Sequence, residues 1–315
     1  MKTKIFIDGQ VGTTGLQIHE RLEKRDDIEL LYIPEASRKD ENTRKAFLNA
    51  ADIVFLCLPD TASKEAVSLI QNEKTRVIDA STAHRTAPFW AYGFPELSVL
   101  HKADIWSSDR VANPGCHATG FLALVFPLIK AGILSKEALL HCHSLTGYSG
   151  GGKEHIALYE AENRSNSLNA PRIYGLGLQH KHLPEMMQVS GLKHAPLFSP
   201  IEAPHYAGMA VTVPLHQAQL KKAASSANIQ EILAAHYQRE HFIRVQAFAD
   251  ETSLEIPGFI ESNALVGTNE MEIFVHGNDK QTLLVARFDN LGKGASGAAV
   301  QNMNIMLGLD EEIGL

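Results

Sequence analysis

The chain has 315 residues, 44% hydrophobic and 21% charged, which allows two domains and a large core. A net charge of −7 with no Lys/Arg cluster argues against a nucleic-acid partner, and no apolar run is long enough to span a bilayer. Three scattered cysteines argue against a disulfide framework and against structural zinc; no metal is expected. Residues 1–4 run straight into a strand, so no signal peptide is expected and cytoplasm is the default. Residues 4–8 read as a buried strand. Gly9-Gln10-Val11-Gly12-Thr13-Thr14-Gly15 follows, then an amphipathic helix with Leu16, Ile18 and Leu22 on one side. Strand, glycine turn and helix in this order make a phosphate cradle. Gly9 permits the turn, Gly12 lets backbone approach a pyrophosphate, and Gly15 lets the helix pack on the strand. Val11, Thr13 and Thr14 complete the loop. The spacing is GxxGxxG, a variant of GxGxxG.

A second strand, 28–33, ends in Pro34-Glu35-Ala36-Ser37-Arg38-Lys39. Glu35 suits the ribose hydroxyls of NAD, whereas Ser37 and Arg38 with Lys39 suit a 2′-phosphate, so NADP is the expected cofactor. The plain alternative is a solvated cationic loop. Strands 53–58 and 76–80, with a helix at 61–71 between them, end in Pro59-Asp60 and Ser81-Thr82. Loops after such strands face the ligand crevice, which makes Pro59 and Ser81 cofactor candidates. The alternation predicts a Rossmann-type, doubly wound parallel sheet over residues 1–115.

The run Asn113-Pro114-Gly115-Cys116 is the most informative in the chain. Pro and Gly make a turn, and residues 118–131 read as an apolar helix. The sulfur therefore sits at a helix N-terminus, where unpaired N–H groups and the dipole stabilise a thiolate. A free cysteine is more often a small buried hydrophobe. The flanking turn and helix and the nucleotide motif favour a nucleophile. Cys57 and Cys142 lie in strand-like runs and read as core.

From Cys116 the pattern changes. Strands at 139–145, 209–215 and 242–248, a helix at 226–238 and a hairpin 271–276/282–288 around Gly277-Asn278-Asp279 predict an α+β domain with a mainly antiparallel sheet over 116–294. Residues 168–178 read as a flexible loop. A last helix, 295–307 ended by Gly308, completes the first domain through 315. Two histidines in His180-Lys181-His182-Leu183-Pro184-Glu185 precede a helix opened by Pro184 and are candidates for acid/base work. On spacing alone they are a solvated pair.

These motifs, with residues 77–85 (ending Ser81-Thr82-Ala83-His84-Arg85), 289–297 and Val300-Gln301-Asn302-Met303-Asn304, stand in the order found in the N-acetyl-gamma-glutamyl-phosphate reductases. The sequence resembles that family nearly end to end, and its shorter subgroup in length and in the glycine motif. His84 stands where Phe is common and Lys153 where Arg is common. The resemblance implies an NADP-dependent enzyme of arginine biosynthesis. Cys116 would attack an acyl phosphate and expel phosphate, and the resulting thioester would be reduced to the semialdehyde. A histidine, His180 first and His182 second, would move protons. Arg85, at the position of a phosphate-binding arginine in the related aspartate-semialdehyde dehydrogenases, and Lys153 would hold phosphate. Asn113 would orient the substrate or the cysteine loop. Asn290 would contact the nicotinamide amide, Gly294 would give the cofactor close backbone access, and His205 would line the substrate pocket. A small-molecule substrate and a homo-oligomer, dimer or tetramer, follow.

Three other readings compete. An aspartate-semialdehyde dehydrogenase shares the thiolate and cofactor but takes a free α-amino group, and it usually has Asn before the cysteine where this chain has Gly115. A non-catalytic NADP sensor needs no Cys116, Arg85 and histidine pair together. A cysteine hydrolase has no use for the nucleotide motif.

Overall fold

A computed structural model describes residues 2–221 and 224–315; Met1, Lys222 and Ala223 lie outside the described residues. The chain divides into two units, residues 1–114 with 295–315, and residues 115–294.

The first unit is built on strands rich in β-branched residues. They are β1 (Thr3–Asp8), β2 (Ile28–Leu31), β3 (Ile53–Leu56), β4 (Arg76–Asp79), β5 (Ala91–Tyr92) and β6 (Arg110–Ala112), in the order β2-β1-β3-β4-β6-β5 and all parallel. Strand alternation sends Ile5 and Ile7 to one face and Phe6 to the other. Helices α1 (Thr13–Leu22) and α4 (Val99–Ser107) cover the Ile5 face through Ile18, Leu22 and Ile105. Helices α2 (Glu41–Ala50) and α3 (Asp60–Leu69) cover the Phe6 face through Leu48 and Ala66. Two cores flanking one sheet are what a doubly wound fold requires.

The second unit begins with α5 (Cys116–Lys130). It continues with β7 (His141–Gly147), α6 (Gly152–Glu160), β8 (Arg172–Ile173), α7 (Leu183–Ser190) and β9 (Leu197–Ala203). It ends with β10 (Met209–His216), α8 (Ser226–Tyr237), β11 (Ile243–Val245), β12 (Met271–Gly277) and β13 (Gln281–Phe288). Its seven strands run β11-β12-β13-β10-β7-β9-β8. Four of the six neighbouring pairs are antiparallel; β11–β12 and β7–β9 are parallel. Gly120 lets α5 lie tight on this sheet: a Cβ there would sit 2.4 Å from Val211 and 2.9 Å from Phe288.

Two strands of the second unit's sheet differ from the sequence reading. The expected loop 168–178 contains β8, which pairs with β9 at Arg172↔Glu202. Strand β9 itself was hidden by Pro200. Tyr174 N donates to Pro200 O at 3.1 Å; the Pro200 nitrogen, on the same side, cannot return a bond to Tyr174, and the β8–β9 ladder stops there. After β13 a π-helical turn (Gly292–Ser296) leads into α9 (Gly297–Leu307), whose Val300 and Met303 join the core of the first unit.

Candidate active site

In the first unit the loop after β1 takes the form the glycines imply. Gly9 has φ +90°, and a Cβ on it would lie 2.3 Å from the Cys57 carbonyl oxygen; one on Gly15 would lie 2.5 Å from the Gly9 oxygen. Gly12 is the N-cap of α1, no side chain caps that helix, and its first turn holds no acid. The Thr13 Oγ1 is buried without a hydrogen-bond partner. A bare helix N-terminus, an orphaned hydroxyl and a cradle that any Cβ would fill fit a pyrophosphate. Val11 is exposed beside them and Thr14 is half-buried. Behind the loop, Arg44 on α2 pairs with the buried Asp8 at 2.8 Å and fixes the end of β1. Ser37 and Arg38 are half-buried after β2, and Arg38 lies 3.7 Å from the exposed Glu35. An exposed pair at that separation holds the guanidinium weakly.

Two carboxylates organise the loops after β3 and β4. Asp60, next to Pro59 (the N-cap of α3), accepts the Thr82 backbone N–H at 3.0 Å. Asp79, fully buried, accepts from Ser81 N (2.9 Å) and Ser81 Oγ (2.8 Å), and contacts His84 Nδ1 at 2.6 Å. The His84 ring stacks on Trp90 at 4.0 Å. Arg85 donates from Nε to Asn113 O at 2.9 Å and from Nη2 to Ala80 O at 3.1 Å. The Asn113 amide donates to Ala295 O and accepts from Asn302 Nδ2. Arg85 and Asn113 thus brace the backbone that leads to Cys116.

In the second unit Gly115 is the N-cap of α5 and Cys116 its first residue. The first intrahelical bond runs from Thr119 N to Gly115 O. The amides before it, with the helix dipole, favour negative charge on the sulfur. The carboxylate of Glu185, buried on the first turn of α7, accepts the Gly115 N–H at 3.1 Å and pins the turn. Gly294 packs close to the thiol: a Cβ there would lie 2.9 Å from the Cys116 Cβ. The other thiols are disfavoured nucleophiles. Burial, then the charges of Asp79 and Asp8, push Cys57 up to about 12, and burial alone pushes Cys142 up.

His180 and His182 lie with their ring centroids 4.7 Å apart, and a third histidine, His117, sits 5.3 and 5.5 Å from them. Phe198 closes the cluster. The His182 backbone N–H donates to His180 Nδ1 at 3.2 Å, which leaves the neutral His180 ring its proton on Nε2. His182 is the N-cap of α7. The buried His117 bridges Ser144 Oγ (2.6 Å) and Tyr174 Oη (2.8 Å). Burial first, then the charges of His180 and Lys181, push its pKa down to about 3, so the ring is neutral at working pH. Tyr174 is pushed up by burial, then by the charges of Cys116 and Glu202, and stays a phenol.

The unfolded chain protonates His117 near 6.5 and the folded one not until about 3, so between these values unfolding takes up a proton. Stability should therefore be full above 6.5 and fall as pH drops through that window, by an amount on the order of a few kcal/mol. Urea midpoints measured against pH check this, with His117→Gln flattening the curve.

The remaining expected residues lie elsewhere in this unit. Asn290 does not present its amide to solvent: it is buried, accepts from Gly208 N (2.8 Å) and donates to Ser149 Oγ (3.1 Å). These two bonds brace two turns and leave the second N–H of the amide, which the sequence reading assigns to the nicotinamide. Lys153 is exposed on the first turn of α6. His205 is half-buried, 3.2 Å from Ser262 Oγ, and burial pushes its pKa down. Sequence reasoning missed Glu185, His117, Ser144, Tyr174 and Asp79. Among the described residues no cluster of His, Cys, Asp or Glu could hold a metal, and no helix is long and apolar enough to cross a membrane.

The glycine-turn sheet and the thiol at a helix N-terminus define a class. The chain belongs to the semialdehyde dehydrogenase family: the family's NAD binding domain matches residues 4–104 and its dimerisation domain residues 116–290. The fold is shared with the solved aspartate semialdehyde dehydrogenase of Francisella tularensis, at a TM-score of 0.72 and 13% identity over 97% of this chain and all of that one. Over its full length the sequence is similar to N-acetyl-gamma-glutamyl-phosphate reductase 2 of Nostoc sp., 49% identical over 100% of this chain and 99% of the relative. It is also 48% identical to N-acetyl-gamma-glutamyl-phosphate reductase of Brucella ovis, over 98% and 100%.

Proposed function

We propose that this chain reduces N-acetyl-L-glutamyl 5-phosphate to N-acetyl-L-glutamate 5-semialdehyde and phosphate with NADPH, in arginine biosynthesis. The observation that carries the chemistry is Cys116 at the N-terminus of α5, with its turn pinned by Glu185 and three histidines clustered in the same unit. Relatives at 45–49% identity supply the substrate.

The chain's own groups divide the work as follows. The Cys116 thiolate attacks the acyl carbon; the bond to the phosphate oxygen breaks and phosphate leaves, giving a thioester. The developing negative charge on the carbonyl oxygen is stabilised by backbone N–H groups of the first turn of α5. Bound NADPH supplies the hydride that reduces the thioester. His180, with its proton on Nε2, supports the thiolate and shares that proton with the oxygen that hydride addition leaves negative, taking it back as the carbonyl re-forms; His182 is the second choice. Collapse then breaks the carbon–sulfur bond and frees the aldehyde and the thiolate. Gly9, Val11, Gly12, Thr13, Thr14 and Gly15 hold the pyrophosphate, Pro59 and Ser81 flank the cofactor, and Ser37 and Arg38 take the 2′-phosphate. Arg85 and Lys153 bind phosphate, Asn113 orients the cysteine loop, and His205 lines the substrate pocket.

We read the protein as a cytoplasmic homo-oligomer. Its three cysteines are all free thiols, as a reducing compartment maintains them. The sheet face turned away from α5 exposes Leu197 and Ile173 on the neighbouring strands β9 and β8, and Leu283 on β13, apolar positions suited to a second copy.

Two measurements test this reading. Phosphate-dependent NADP reduction should proceed with N-acetylglutamate semialdehyde at least about 100-fold faster, in kcat/KM, than with aspartate semialdehyde; equal rates or the reverse order overturn the substrate assignment. Arg38→Ala should weaken NADPH binding about tenfold or more and leave NADH nearly unchanged. Equal losses would remove the 2′-phosphate role.

A further inference from the structure

Cys116 is followed by a histidine that the proposed mechanism does not use. His117 is almost fully buried in the first turn of α5. A neutral imidazole has one donor and one acceptor, and both are engaged, by Ser144 Oγ at 2.6 Å and Tyr174 Oη at 2.8 Å. Ser144 is fully buried on β7. Either direction of the chain of three groups is complete, so the bridge is satisfied without a charge.

What the bridge holds is the segment that carries His180. After Tyr174 the chain leaves β8 and has little to anchor it. Gly175 is at φ +65° and Leu178 at φ +55°. Leu176 and Leu178 are 79% and 57% exposed. The segment is fastened at Tyr174, by its backbone bond to Pro200 and by its side chain through His117, and again at His182, where α7 begins. Between these points the His180 ring rests edge-on against His117 at 5.3 Å and against Phe198 at 5.1 Å.

We propose that His117 is a positioning residue for the reaction: as a neutral bridge from Ser144 to Tyr174 it fixes the 174–182 segment, and through it places His180 for proton transfer at Cys116. This deepens the proposed function and rests on it for the role of His180. A loosened acid/base group is expected to slow chemistry rather than weaken binding, because displacements near 1 Å cost about 100-fold in rate.

The test uses His117→Ala, His117→Gln, Tyr174→Phe and the double variant His117→Ala/Tyr174→Phe in the full chain. Tyr174→Phe and His117→Ala should each lower kcat about 10- to 100-fold, with KM and the NADPH dissociation constant within about threefold of the parent. His117→Gln, whose carboxamide keeps a donor and an acceptor, should recover most of the loss. The double variant should be no slower than the slower single, since both cut one bridge. Independently of substrate, the pH midpoint for alkylation of Cys116 by iodoacetamide, read by peptide mass spectrometry, should shift in the same variants and return in His117→Gln. Parent-like kcat and alkylation in Tyr174→Phe, or losses that multiply in the double variant, would overturn the proposal. If Cys116→Ser retained turnover, the functional reading would fail, while the alkylation profiles would still decide whether His117 sets the thiol's surroundings.

Discussion

Replacing Cys116 with serine is expected to lower kcat by about 10⁴-fold or more while NADPH binds as in the parent. A serine hydroxyl at the same site stays protonated at neutral pH. The helix N-terminus that favours a thiolate lowers a thiol's pKa by a few units at most, far too little for an alkoxide. The nucleotide loop lies on β1 and α1 in the other unit and does not depend on the sulfur. Cys57→Ser and Cys142→Ser are the controls. Neither thiol ionises near neutral pH, so neither change should lower kcat beyond what a mild loss of stability explains. NADPH affinity by fluorescence titration and kcat by NADPH consumption separate the two functions.

The second large effect is expected at Gly9. Its φ of +90° is one that a side chain strains, and a Cβ would meet the Cys57 backbone oxygen at 2.3 Å, where neither partner can swing aside. Gly9→Ala should therefore displace the loop that β1 feeds into α1 and weaken NADPH at least about 100-fold. Alkylation of Cys116 should continue at the parent rate, since the thiol is built on α5. Gly132→Ala is the comparison. That residue is also at positive φ, +72°, but a Cβ there meets nothing within 4 Å, so it should cost some stability and leave the cofactor affinity intact. Equal affinity in Gly9→Ala would mean that the loop does not bind the pyrophosphate.

The parts of this protein that were legible in the sequence are those encoded locally. The strand, glycine turn and helix at 3–22 follow from residues within one short stretch, and so does the placement of Cys116 after Pro114-Gly115. The hairpin of β12 and β13 announced itself by two apolar runs around Asn278. Features made by pairing over long chain separations were not legible. Glu185 reads as an ordinary first-turn acid of a helix, yet it closes on Gly115, 70 residues earlier. The His117–Tyr174 bridge spans 57 residues and follows from no spacing rule. Strand β9 carried a proline, which argues against a strand unless the neighbouring edge is known to be short. Asn290 shows the same limit: its place in a motif suggested a ligand, and only the fold shows the bonds its amide makes to Gly208 and Ser149.

The proposed reaction depends on acyl transfer to one sulfur atom. The direct measurement mixes the enzyme with N-acetylglutamate 5-semialdehyde and NADP in the absence of phosphate, quenches in acid, and sequences the peptides by mass spectrometry. An N-acetylglutamyl group on Cys116, formed in step with NADPH, is the predicted result. NADPH formed while Cys116 stays unmodified would contradict it.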